Sequence, residues 1–194
     1  MYKKVKETYK PIYQPNTWNN DTNIKGSHNC YSYFLNDINN DLKNIYEKEV
    51  KYRNILNPQP GHYCGMTKRV NLNETSCDNI NERVLCDNNN IKIINTNDDN
   101  FDCGPNHYKG ALAVDEGKMY HFYREDEGGM WSHKDGGKEV TNLDYSGNKI
   151  SDPKFSNRGR YDKFCNYYCI PKNDYKKTNM ARNHYSKGKL WYKS

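Results

Sequence analysis

With a mean hydropathy of −1.22 and only 34% hydrophobic residues, this chain can bury a core only if its rings supply it. Its 194 residues include 18 Tyr, 5 Phe and 3 Trp. A tyrosine ring carries apolar area but also a hydroxyl that needs a partner, so a core built this way is aromatic and laced with hydrogen bonds. Chains this polar border on disorder, and the number of rings argues for a folded body instead. The length suits one domain with decorated ends.

Seven cysteines leave one over. One partition keeps Cys30 free and forms up to three disulfides among Cys64, Cys77, Cys86, Cys103, Cys165 and Cys169; a fully reduced set is the alternative. Their spacing does not fix the pairing. No run of about 18 apolar residues exists, so no membrane span is expected. The basic start of the chain lacks the apolar stretch of a secretory signal, and localisation stays open between host cytoplasm and virion if the protein is viral. Heavy use of Asn, Lys, Ile and Tyr suggests an AT-rich genome, as in large DNA viruses of protists or low-GC microbes.

The net charge of +6 comes largely from the two ends. Lys3, Lys4, Lys6 and Lys10 open the chain, and Lys172, Lys176, Lys177, Arg182, Lys187, Lys189 and Lys193 close it. Tyr175, Tyr185, Trp191 and Tyr192 interleave with the closing set, a pattern that can stack on single-stranded nucleic acid. A solvated tail docking on an acidic surface is the plainer reading, and nucleic-acid binding is not expected as the main role.

Four segments follow. Residues 1–25 read as an extended arm with Pro11 and Pro15, and 26–170 as the folded unit. Within it 62–108 is a loop-rich insertion, and 171–194 is a basic aromatic tail. Ser27 is a candidate N-cap, after which Tyr31, Leu35, Ile38, Leu42 and Ile45 mark one helical face running to about Lys51. The turn-rich Asn57-Pro58-Gln59-Pro60-Gly61 ends it. Ile91–Ile94 predicts a short strand. Ala111–Val114 and Met119–Glu125 flank a turn at Asp115-Glu116-Gly117, and a second turn at Asp126–Gly129 leads to Met130–Lys134. Tyr161–Ile170 is the last ordered element.

This layout gives Cys30 chemical interest. A thiol in the first turn of a helix meets unpaired N–H groups and the positive end of the macrodipole, which favour a thiolate. His121 alternates with Tyr120 and Phe122 along its strand, and pairing across the second turn sets His133 close to opposite it, on the same face. One imidazole could then take a proton from Cys30 while the other orients it. His121 as base and His133 as orienter is the preferred assignment. The swapped roles stay open, with Asp135 or Asn142 as a polar third member. An oxyanion hole would add the Cys30 N–H and a donor among Asn29, His28, Asn19 and Asn20.

Cys30, His121 and His133 resemble the NlpC-like branch of the papain-like cysteine hydrolases, where a helix-start Cys is followed by a strand His and a second polar residue about a dozen positions on. The strings Asn29-Cys30-Tyr31-Ser32-Tyr33, Tyr120-His121-Phe122-Tyr123-Arg124 and Trp131-Ser132-His133-Lys134 also resemble a little-characterised bacterial and large-virus group, as do Thr141–Gly147 and Phe164–Cys169. The likeness covers about residues 28–170. It implies an α+β, papain-like fold with a catalytic helix packed on a small antiparallel sheet. It also implies a cysteine peptidase or amidase acting on a peptide or amide through a thioester, with no cofactor. The branch places an oxyanion-assisting Tyr about twelve residues before the Cys; here that position is Trp18. The alternative is a catalytically idle papain-like module serving as a structural or binding component of a virion or cell surface.

Other constellations are weaker. His62, Cys64, Cys103 and His107 offer zinc-like donors without a CxxC knuckle, and disulfides or free thiols suit those cysteines better, so no metal is expected. Asp98, Asn100 and Asp102 alternate as in calcium loops, but the glycine is misplaced and Lys109 stands where Glu is needed. Asn20-Asp21-Thr22 and Asn73-Glu74-Thr75 are glycosylation sequons if the chain enters a secretory lumen.

Overall fold

The computed structural model describes residues 9–48, 58–66, 70–94 and 101–172. The basic tail beyond Lys172 and the calcium-like Asp98 and Asn100 therefore lie outside the described residues. The architecture is α+β: short helices pack on a six-stranded sheet of order β1-β6-β2-β3-β4-β5. Its strands are β1 (Lys92–Ile94), β2 (His107–Asp115), β3 (Met119–Glu125), β4 (Trp131–Lys134), β5 (Val140–Thr141) and β6 (Lys163–Pro171). Every pairing between neighbours is antiparallel.

The arm is not extended throughout. Pro15 starts α1 (Pro15–Asn19), and Asp21 caps α2 (Thr22–Ser27) by accepting from the Asn23 and Ile24 amides. The long helix expected from Ser27 to Lys51 is also broken. Ser27 ends α2, Asn29 caps α3 (Cys30–Phe34), and Asn39 accepts from the amides of Asp41 and Leu42 at the start of α4 (Asn40–Lys48). Between them Asn36 takes the left-handed conformation at φ 50, which ends the first piece. Asparagine stops helices by offering its side chain to the backbone. The presumed loop insertion likewise holds an 11-residue helix, α5 (Cys77–Asp87), capped by Ser76.

Two aromatic layers cover the sheet. On one face α3 brings Tyr31 and Phe34 onto Tyr108, Leu112, Phe122 and Tyr168, joined by Ile80 and Val84 of α5. The opposite face holds Tyr123, Trp131, Tyr161 and Tyr167 around Ala111 and Ala113. Tyr108 donates to the Phe34 carbonyl at 2.9 Å and Tyr31 to Asp87 at 2.9 Å, as a polar core requires, whereas the buried Tyr123 hydroxyl has no hydrogen-bond partner. Asp87 in turn accepts from the Gly61 and Cys64 amides, holding the 58–66 loop against α5.

Gly110 of β2 is what lets α3 lie this close. A Cβ there would collide with the Phe34 ring and the Ile170 side chain. Gly110→Ala is therefore expected to destabilise the fold by about 1–3 kcal/mol, read as a lowered urea midpoint with an unchanged slope. An unaltered midpoint would show that Phe34 moves aside freely.

Three disulfides staple the irregular half: Cys64–Cys86 joins the 58–66 loop to α5, while Cys77–Cys165 and Cys103–Cys169 reach the sheet. Cys30 is left free. The last two bonds both end on β6, so this strand, next to the β1 edge, is tied both to α5 and to the 101–106 loop.

Candidate functional site

Cys30 is the first residue of α3, two positions earlier in the helix than a Ser27 cap would place it. The side chain of Asn29 accepts from the Tyr31 and Ser32 amides at 3.1 and 3.3 Å and donates to the Pro58 carbonyl at 2.6 Å. Asn29 thereby spends its oxygen and its amide on structure. It also consumes the first-turn donors that were expected to favour a thiolate. Helix α3 lies flat on the sheet, and the sulfur joins the cluster of Tyr31, Phe34 and Phe122 with 6% of Cys30 exposed. Burial pushes its pKa up to about 12, and the Phe122 backbone offsets only part of this. Burial therefore works against the thiolate that a helix-start position was expected to favour.

His121 and His133 do share a face. His133 pairs with Tyr123, so the two imidazoles sit diagonally across the ladder instead of directly opposite. His121 Nε2 and His133 Nδ1 are 2.8 Å apart, and His133 Nε2 lies 3.0 Å from the Leu143 carbonyl. A carbonyl only accepts, so His133 carries its proton on Nε2 and its Nδ1 accepts from His121 Nε2–H. This tautomer leaves His133 neutral. Burial, with His133 alongside, holds His121 well below the usual imidazole range, and burial lowers His133 as well. His121 also stacks on Tyr161 with centroids 4.7 Å apart and meets Tyr123 edge-on.

Cys30 and His121 line one cavity of about 210 Å³ with Gln59, Val70, Asp135 and Tyr161. His133 stands behind His121, outside that lining. Trp18 lies elsewhere: it is buried with Tyr33 and Val140, edge-on to Tyr33 at 4.9 Å. His28 is fully buried, with Nε2 accepting from the Asn39 amide at 2.8 Å and Nδ1 facing the Ile24 carbonyl at 3.2 Å. Asn19 braces β5 through the Val140 backbone. Of the oxyanion candidates, then, Asn29 lines the cavity with its side chain committed, while Trp18 serves a separate core. Cys64 and Cys103, the thiols weighed for zinc, are held in disulfides. Among the described residues no group of three or more His, Cys, Asp or Glu side chains could hold a metal.

Sequence reasoning missed Lys134, which follows His133 and is fully buried. Its ammonium donates to the carbonyls of Lys25, Gly136 and Lys138 at 2.7, 2.7 and 2.9 Å. All three protons are satisfied, yet burial still pulls its pKa down to about 8. Lys134 closes the 134–138 turn beneath Asp135 and ties it to α2. A second buried charge, Arg124, donates to Asp126, Asn36 and the Tyr33 hydroxyl, locking α3 to β3 and the turn that follows. No motif announced either one, since both lie in strands that otherwise read as ordinary hairpin.

These features define a disulfide-stapled α+β domain in which Cys30 and His121 border one cavity and His133 backs His121. Over 152 residues, 78% of this chain and 84% of the relative, the chain is 32% identical to insoluble matrix shell protein 1 of Ruditapes philippinarum. The chain belongs to the family of that shell matrix protein. No family model matches the chain, and no solved structure matches it. The expectation of a cysteine peptidase or amidase is corrected by this kinship, since the relative is described as an insoluble shell matrix protein. The site agrees with the correction in physical terms: burial raises the Cys30 pKa and leaves 6% of the residue exposed, where a nucleophile must be ionised and reachable. Among the described residues no helix is long and apolar enough to cross a membrane.

Proposed function

We propose that this protein is a non-catalytic structural module of an insoluble extracellular matrix, built on a papain-like arrangement whose Cys-His-His cluster serves packing. The kinship with a shell matrix protein over most of both chains carries this reading. Three disulfides support it, because such bonds persist in oxidising, extracellular settings. The papain-like part rests on the helix-start Cys30 sharing a cavity with the strand residue His121, backed by His133. Of the settings the sequence suggested, a surface matrix fits the relative's description better than a virion.

The test is alkylation of the folded, oxidised protein with iodoacetamide at pH 6, read by mass spectrometry. A structural module leaves Cys30 unmodified until denaturant is added. Stoichiometric labelling of Cys30 in the native state, abolished by His121→Ala, would overturn the proposal by revealing an activated thiolate.

A further inference from the structure

We infer that Asn73 is an N-glycosylation site read before the chain folds, and that position 75 is threonine for that purpose. The inference rests on the proposed extracellular setting, because this modification takes place in a secretory lumen. The motif alone decides little. Among 29 asparagines, Asn20 and Asn73 are the two followed at the second position by Ser or Thr, a number that composition by itself supplies.

The fold separates the two sequons by what the hydroxyl does. Thr22 is exposed at the start of α2, where its hydroxyl stays hydrated. Thr75 is 2% exposed, and its Oγ1 is buried without a hydrogen-bond partner. Such a hydroxyl has lost its water and gained no bond, so it destabilises the folded state. Valine has the same branched shape without the oxygen, and packing alone would favour it here. The Thr75 hydroxyl therefore does nothing for the fold. Its use lies in the unfolded chain, where a sequon needs a hydroxyl two residues after the asparagine.

The surroundings suit a site modified early and displayed afterwards. Asn73 is exposed in a short 3₁₀ turn, Leu72–Glu74, and its carboxamide makes no hydrogen bond among the described residues. The turn is held instead by the Asn71 side chain, which accepts from the Asn73 amide at 3.2 Å. Thr75 is fixed on both sides. Its carbonyl accepts from the Gly117 amide at 2.9 Å, Ser76 caps α5, and Cys77 is bonded to Cys165. Once that disulfide closes, the hydroxyl is beyond an enzyme's reach, so transfer precedes closure. In the transfer, Asn73 Nδ2 bonds to the anomeric carbon of an oligosaccharide carried on a polyprenyl diphosphate. The bond from that carbon to the diphosphate oxygen breaks, the diphosphate leaves with the electron pair, and Nδ2 gives up one proton to solvent.

The experiment secretes the full chain from insect cells and maps its peptides by mass spectrometry before and after treatment with peptide N-glycosidase. The peptide holding Asn73 is expected to carry one glycan in most molecules, released by the enzyme. Asn73→Gln and Thr75→Val should abolish that glycan, and Thr75→Ser should retain it. A second readout uses the unglycosylated chain, made in bacteria and oxidised to the three disulfides. There Thr75→Val is expected to raise the urea midpoint, because it removes an orphan hydroxyl and keeps the shape. A secreted wild-type chain bare at Asn73 overturns the site. A Thr75→Val midpoint that does not rise overturns the reason given for the threonine, since the hydroxyl would then be serving the fold. Neither failure touches the structural reading, which is decided by Cys30 labelling.

Discussion

Reduction of the three disulfides is expected to unfold this protein near physiological temperature. The covalent loops span 22, 88 and 66 residues for Cys64–Cys86, Cys77–Cys165 and Cys103–Cys169. Closing loops of these sizes is worth about 3–5 kcal/mol each through the unfolded chain. The three together rival the entire stability of an ordinary domain, about 5–15 kcal/mol. The dependence is severe here because the rest of the fold has little to fall back on: 34% of residues are hydrophobic, and the core tyrosines must keep their hydroxyls paired. Two of the bonds also fasten loops, 58–66 and 101–106, to α5 and β6. Urea unfolding with and without reductant measures the effect. Removing Cys77–Cys165 by paired Ser substitution should cost more than removing Cys64–Cys86, since it closes the longer loop. A reduced chain with the oxidised midpoint would refute this account.

What could be read beforehand, and what could not, follows from the range of the forces involved. The β2–β3–β4 meander was legible because its turns are local: Asp115-Glu116-Gly117 and Asp126–Gly129 announce themselves, with Gly117, Gly128 and Gly129 all at positive φ. The shared face of His121 and His133 followed from strand parity alone, which survives a register displaced by two residues. The helix breaks at Asn29, Asn36 and Asn39 were harder to see. In a chain this rich in asparagine, a cap, a left-handed residue and a solvated side chain share one letter. Helix α5 has only Ile80 and Val84 fully buried, with two of its cysteines spent on bridges, so its periodicity is faint. Disulfide pairing and the burial of Cys30 are set by tertiary contacts, and no spacing encodes them. That is why the thiol's pKa moves opposite to the expected direction. Position at a helix start argues for ionisation, but the covering sheet and the Asn29 cap decide against it.

Acid should loosen the fold well before carboxylates protonate, because burial lowers the pKa of three histidines. His28 accepts from the Asn39 amide at Nε2, so a second proton has no place there without breaking that bond. Burial brings its pKa down to about 4. His133 is lowered too, and added charge at its Nδ1 would oppose the N–H of His121. Above the unfolded pKa of 6.5 both folded and unfolded chains hold a neutral imidazole, and stability is complete. As pH falls below 6.5 the unfolded chain takes up protons that the folded one refuses, until about pH 4 in the case of His28. That gap alone amounts to about 3 kcal/mol of lost stability at the acid end. Asp87 and Asp126 work the other way, since burial raises their pKa and protonation relieves them, but that relief begins nearer the carboxylate range. The urea midpoint is therefore expected to fall steadily between pH 7 and pH 5. His28→Gln, which keeps an acceptor for Asn39, should start lower at pH 7 and decline less steeply by one proton's worth. A wild-type midpoint that is flat across this window would mean that the buried imidazoles are already solvated, and with them the cavity beside Cys30.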